Sequence, residues 1–207
     1  MLEEKQRRIC FEMYTGGQMN LMDRLNAILP RITEEGFLHK KGLGNEIPFY
    51  VFDYPPEEEL RIREHISFII ERLAQQQAHI KILHIKLFDL MVEHLRERGN
   101  LDKAFLLEAE KGSKALWDAL SASVKPDRFI KLLDEKKHLA DYDIIFISGV
   151  GTIWPWVRAH SLLNNLQSVT GNASVVLFYP GAYSGQSFKL FDRLETNNYY
   201  RAFRLVP

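Results

Sequence analysis

The chain has one cysteine, Cys10, among 207 residues. That excludes an internal disulfide framework and a zinc site built on cysteines. Neither sign of charge dominates, with 27 Lys and Arg against 27 Asp and Glu. The isolated chain therefore has no global field to draw DNA or an anionic membrane. No apolar run approaches the ~20 residues a membrane helix needs. The start, MLEEKQRRICFEMY, is charged and amphipathic, without a signal-peptide apolar region. Together these absences point to a cytoplasmic protein. Catalytic signatures are missing too: the seven histidines form no H-x-x-x-H or H-E-x-x-H pair, and there is no G-x-S-x-G elbow and no Gly-Lys-Ser/Thr tripeptide. No catalytic residue, metal or cofactor is assigned.

What is present is an ordinary globular composition, 46% hydrophobic and 26% charged. Residues 1–18 read as a peripheral segment and 19–207 as one α/β domain. The stretch 19-MNLMDRLNAIL-29 has helical apolar spacing up to Pro30. The run 47-IPFYVFD-53 has the aromatic and β-branched content of a buried strand. It is followed by a helix over 57–77 that buries Leu60, Ile62, Ile66, Ile69, Ile70 and Leu73. A second strand covers 80-IKILHIKL-87, with His84 on one face. Residues 88–139 read as a helical insertion of three or four helices, broken near Gly99, Gly112 and Pro126.

The third strand, 143-DIIFIS-148, is nearly all apolar, as a strand covered on both faces should be. A helix to about Leu166, a fourth strand over 174–180, a glycine turn over 181–186, a short helix over 187–194 and a last strand over 199–206 complete the pattern. Strands alternating with helices predict a three-layer α/β fold. Its sheet is mainly parallel, with about five strands, helices on both faces and the helical insertion between strands 2 and 3.

The turn 148-SGVGTIWPW-156 invites a nucleotide reading, because glycines let backbone approach a phosphate. Here the third position of the dinucleotide fingerprint falls on Trp154. Thr152 suits an N-cap and Pro155 a first helical turn, so the turn reads as a structural corner. The alternative is a degenerate phosphate-loop site using backbone amides at Gly149, Gly151 and Thr152, or at Gly181 and Ser184. Loops at the carboxyl ends of the strands, including one after Leu87, would gather Asp53, Thr152, Tyr179, Tyr183, Ser184, Gln186 and Arg158. His160 on the following helix reads as a hydrogen-bonded packing residue. The pair Ser148-Gly149 is the nearest approach to a nucleophile turn and lacks a matched base.

Four strings are more distinctive: 43-LGNEIPFYVFDYPPEEELRIRE-64, 149-GVGTIWPWVRAHSLLNNL-166, 176-VLFYPGAYSGQSFKLF-191 and 197-NNYYRAFRL-205. In this order they resemble the BrxB family, small components of the bacteriophage-exclusion (BREX) defence systems of bacteria and archaea. The resemblance spans roughly residues 20–206. It implies a non-catalytic partner within that machinery, and the direct partner it points to is PglZ, the alkaline-phosphatase-superfamily component. Self-association is the other association to test, and no direct nucleic-acid contact is expected of the isolated chain. The surface aromatics Trp154, Trp156, Tyr183 and Tyr199 are the candidate contacts, since aromatic anchors dominate interface energetics. The insertion 88–139 is a second candidate surface.

Overall fold

In the computed structural model, residues 19–38, 49–121, 126–195 and 202–207 are described. The candidate contact Tyr199 and the segment 1–18 lie outside them. Helices α1 (Leu21–Ile32) and α2 (Glu35–Leu38) precede strand β1 (Phe49–Tyr54) and helix α3 (Glu59–Gln76). Strand β2 (Ile82–Lys86) leads into α4 (Leu87–Glu97), α5 (Leu101–Ser121) and α6 (Pro126–Lys137), the three helices inserted before β3 (Ile144–Ser148). Helix α7 (Ala159–Leu166), the long strand β4 (Ser174–Tyr183), two short strands β5 (Phe188–Leu190) and β6 (Leu194–Glu195), and β7 (Phe203–Arg204) follow.

The main sheet runs β2-β3-β4-β1-β7, with all of these pairs parallel. Its residues divide by alternation between two cores. Ile145 and Ile147 of β3 join the cluster under α4, α6 and α7, whereas Ile144 and Phe146 join the cluster under α1 and α3. That is why β3 is apolar at every position but its last: each side chain, whichever way it points, meets a helix layer. Helix α3 applies one stripe to the second core, Ile62, Ile66, Ile69 and Leu73, at the i, i+3, i+4 spacing of a buried face. Leu60, expected in that stripe, is instead 72% exposed, one residue into the helix and off its buried face.

Several boundaries differ from the sequence reading for local reasons. Helix α1 continues through Pro30 to Ile32; the proline sits in the last turn, where its missing N–H removes a single helical bond. Helix α4 begins directly at Leu87, so no loop separates it from β2. Gly112 interrupts α5 with φ 79° and ψ 170°, the break expected there. The largest correction is at 181–194. Strand β4 runs on to Tyr183, and β5 folds back on it antiparallel, pairing Gly181 with Leu190 and Tyr183 with Phe188. Phe188 and Leu190 are both buried with Lys189 between them, a period of two that suits a strand and not the expected helix. Phe191 and Asp192, at φ 52° and 56°, then turn the chain into β6.

Candidate functional site

From β1 the chain crosses toward β2 at one edge, and from β4 it moves toward β7 at the other, although β1 and β4 are neighbours. The crevice beyond their carboxyl ends is the topological switch point, where open α/β sheets ordinarily hold a ligand. Here the protein fills it. Asp53, 7% exposed, ends β1 and accepts from Arg24 of α1 at 2.7 Å. It also accepts from the Arg204 Nη1 of β7 at 3.2 Å on both oxygens, and from the Tyr183 backbone N–H at 3.0 Å. Arg24 donates again to the Asp53 carbonyl at 2.9 Å and lies 4.7 Å from the centre of the Phe52 ring. Arg204 also donates to the Tyr183 carbonyl. The Tyr183 hydroxyl is bound by Ala202, accepting from its N–H and donating to a carbonyl, each at 2.9 Å. Four elements distant in sequence are thus tied to one carboxylate. Asp53 and Tyr183, expected at a pocket and a surface, are spent internally: Tyr183 is fully buried and is no exposed anchor.

The glycine turns are equally occupied. Thr152 does not cap a helix; its hydroxyl donates to the Gly149 carbonyl at 2.7 Å, closing the turn on itself. A short 3-10 segment, Gly151–Ile153, follows, and α7 starts only at Ala159 with Arg158 in the capping position. Gly151 is glycine because the Phe191 ring rests on it: a Cβ there would lie 2.6 Å from the ring edge. Gly181, at φ 137°, faces the Lys189 carbonyl so closely that a Cβ would strike it. Ser184 caps its own hairpin, accepting from the Ser187 N–H at 3.0 Å. The close approach that glycine permits is taken up by the β5–β6 hairpin at Gly151 and Gly181.

Toward the opposite edge strand the structure supplies a pair that sequence reasoning missed. His84 Nε2 lies 2.8 Å from the Ser148 hydroxyl, across the neighbouring strands β2 and β3. Only strand register brings them together, for they are 64 residues apart. Ser148 therefore does have an imidazole partner. Burial, and then the nearby Lys86 ammonium, push that imidazole down to about 4, against which Asp89 acts weakly. The histidine is neutral at ordinary pH and satisfies a buried hydroxyl. So weak a base is poorly matched to taking a proton from serine near neutrality.

Trp154, Trp156, Arg158 and His160 lie on the connection beyond β3 and the start of α7, and Trp117 of the insertion meets this connection. Trp154 is 39% and Trp117 40% exposed. Trp156 is half-buried, and its indole N–H donates to the Trp117 carbonyl at 3.2 Å, joining the β3–α7 connection to the end of α5. Trp156 and Trp117 thus join the helical insertion to the β3–α7 connection, and Trp154, two residues earlier on that connection, is exposed. Beside Trp154 lies a cavity of about 260 Å³ floored by Tyr179 and rimmed by Arg158 and His160. Burial and the Arg158 charge hold the His160 imidazole below its ordinary value. Gln186 is exposed on the β4–β5 turn, away from that cavity's lining. Among the described residues no cluster of His, Cys, Asp or Glu could hold a metal, and no helix is long and apolar enough to cross a membrane.

A family model described as "BREX protein BrxB" matches residues 83–205. A "BREX protein BrxB" of Bacillus cereus (strain H3081.97) is 41% identical over 191 residues, covering 89% of this chain and 96% of that protein. One of Escherichia coli O9:H4 (strain HS) is 36% identical over 184 residues, covering 89% of this chain and 90% of that protein. No solved structure matches.

Proposed function

The chain belongs to the BrxB family, components of BREX phage-defence systems, and from that premise we propose that it is a non-catalytic cytoplasmic adaptor that binds another protein of its system. The partner proposed first is PglZ. The observation that carries this reading is the exposure of two large tryptophans, Trp154 beside the exposed Arg158 on the β3–α7 connection and Trp117 on the helix that Trp156 of the same connection binds. Tryptophan and arginine are the residue types most enriched at interface hot spots, because each contributes large contact area or several donors at small entropic cost. An adaptor also has use for a sheet edge whose switch point is locked by its own side chains, since rigidity lowers the ordering cost of association.

The test is to mix the purified chain with PglZ of the same locus and measure mass by size exclusion with light scattering; the chain run alone reports self-association. A stable heteromeric peak is expected. Trp154→Ala and Trp117→Ala are each expected to cost about 2 kcal/mol of binding. Separate elution well above micromolar concentration would remove PglZ as the direct partner, and the other proteins of the locus would then be tested in turn.

A further inference from the structure

The cavity beside Trp154 is built for a narrower task than general adhesion. Its floor is apolar and buried: Val150, Tyr179, Phe188 and Leu190. Its rim carries two large exposed apolar side chains, Trp154 at 39% and Leu194 at 37%, together with the exposed cations Arg158 and Arg193. Neither guanidinium is paired with a carboxylate among the described residues, unlike Arg24 and Arg204 a short way along the same edge. The acid beside them in sequence, Asp192, acts on Tyr179 and forms no ion pair with either arginine. Two cations against one acid leave the rim positive.

The volume, about 260 Å³, falls just under the span of about 300–1,000 Å³ typical of small-molecule pockets. It suits a single inserted side chain better than a nucleotide, and the close approach that Gly151 and Gly181 permit is already taken by the hairpin. An apolar floor calls for an apolar side chain. Unpaired guanidiniums above it call for carboxylates, which they bind with fixed bidentate geometry. Resting on the adaptor reading, we infer that this cavity receives a segment of the protein partner in which one leucine or aromatic side chain is flanked by aspartate or glutamate. Trp154 and Leu194 close over the inserted side chain, and Arg158 and Arg193 grip the flanking acids.

The test uses the full chain and the charge-reversed variant R158E/R193E, whose two positions are exposed, with thermal melts to show that both are folded. Random dodecapeptides displayed on phage are selected on the wild-type chain. The expected pool is enriched in Asp and Glu around Leu, Phe or Trp, and a synthetic peptide from it binds R158E/R193E at least about tenfold more weakly. A pool without acidic bias, equal binding to both proteins, or a selection that yields no binder overturns the inference. So does saturable ATP binding that R158E/R193E abolishes when no acidic peptide is selected, which assigns the cavity to a nucleotide. The adaptor reading fails separately. If PglZ or another protein of the locus binds wild type and R158E/R193E alike, the cavity inference falls and the adaptor stands. If none of them binds wild type while acidic peptides do, the adaptor reading falls and the recognition chemistry of the cavity stands.

Discussion

The crevice between β1 and β4 and the cavity beside Trp154 lie along the same carboxyl edge of the sheet, share β4 as a wall, and each present two arginines. In the first, Arg24 and Arg204 converge on the buried carboxylate of Asp53. In the second, Arg158 and Arg193 meet no carboxylate among the described residues. The difference is not one of charge supply but of whether an acid was placed between the cations. A parallel sheet opens its carboxyl edge by construction, because strand ends and helix starts alternate there. Closing part of that edge takes a polar group able to satisfy several donors at once, and a β1-terminal aspartate does so. Where no such group stands among the described residues, as beside Arg158 and Arg193, the guanidiniums keep no carboxylate of the chain's own.

The comparison breaks most sharply if the Asp53 carboxylate is removed. Asp53→Ala leaves two guanidiniums facing each other, one of them mostly buried, and strands the Tyr183 N–H. Losing one partner of a buried ion pair typically costs about 3–5 kcal/mol. Urea unfolding is expected to show that loss as a lower midpoint with an unchanged slope. A variant as stable as wild type would mean that the closed crevice is not held by this carboxylate. Gly181→Ala tests the same closure from the hairpin side, since the new Cβ meets the Lys189 carbonyl at positive φ. Backbone must move, and a cost of about 3 kcal/mol is expected, at the upper end of overpacking.

The sheet was legible in the chain because its strands carry their own signal. The run IIFIS has too many apolar residues for a one-sided strand, and the structure covers both of its faces. The stretch SFKLFDRL was not legible, since Phe188, Phe191 and Leu194 also recur at helical spacing. What decides for a hairpin is the bare Gly181 backbone opposite it, a partner no local window contains. The same limit hid the sites. Asp53 looked like an available loop acid because its cations come from residues 24 and 204. His84 and Ser148 looked unrelated until β2 and β3 paired in register. The tryptophans were visible as types, but the contact between Trp156 and the Trp117 carbonyl, 39 residues apart, was not.

The His84–Ser148 contact makes a middle-sized prediction about pH. The folded imidazole titrates near 4 against an ordinary 6.5. Between those values the unfolded chain takes up a proton that the folded chain refuses, so stability is lost as pH falls through that window and is fully present above it. His65, His94 and His160 are lowered as well and add to the trend. His84→Gln keeps a partner for the hydroxyl and removes one titration. A tenfold difference in proton affinity is worth about 1.4 kcal/mol, and the partial exposure of the ring screens some of it. The substitution is therefore expected to flatten the pH 7 to 4 stability curve by about 2 kcal/mol. A curve parallel to wild type would show that His84 takes up its proton as readily in the fold as in the unfolded chain.

The smallest expected effect is the one that sharpens the comparison most. If Arg158 and Arg193 are unengaged within the chain, reversing both charges should change unfolding free energy by no more than about 0.5 kcal/mol, as for exposed positions without partners. Replacing Arg24 with methionine should instead cost several-fold more, because it leaves Asp53 with fewer donors in a buried place. Measuring both in the same denaturant series separates two uses of arginine on one sheet edge. Equal costs would mean that the rim arginines also hold the fold together, and the open cavity would then be a second closed one. Unequal costs in the expected order mean that the arginines of this edge have two separable uses, one pair sealing the fold around the Asp53 carboxylate and the other dispensable to it.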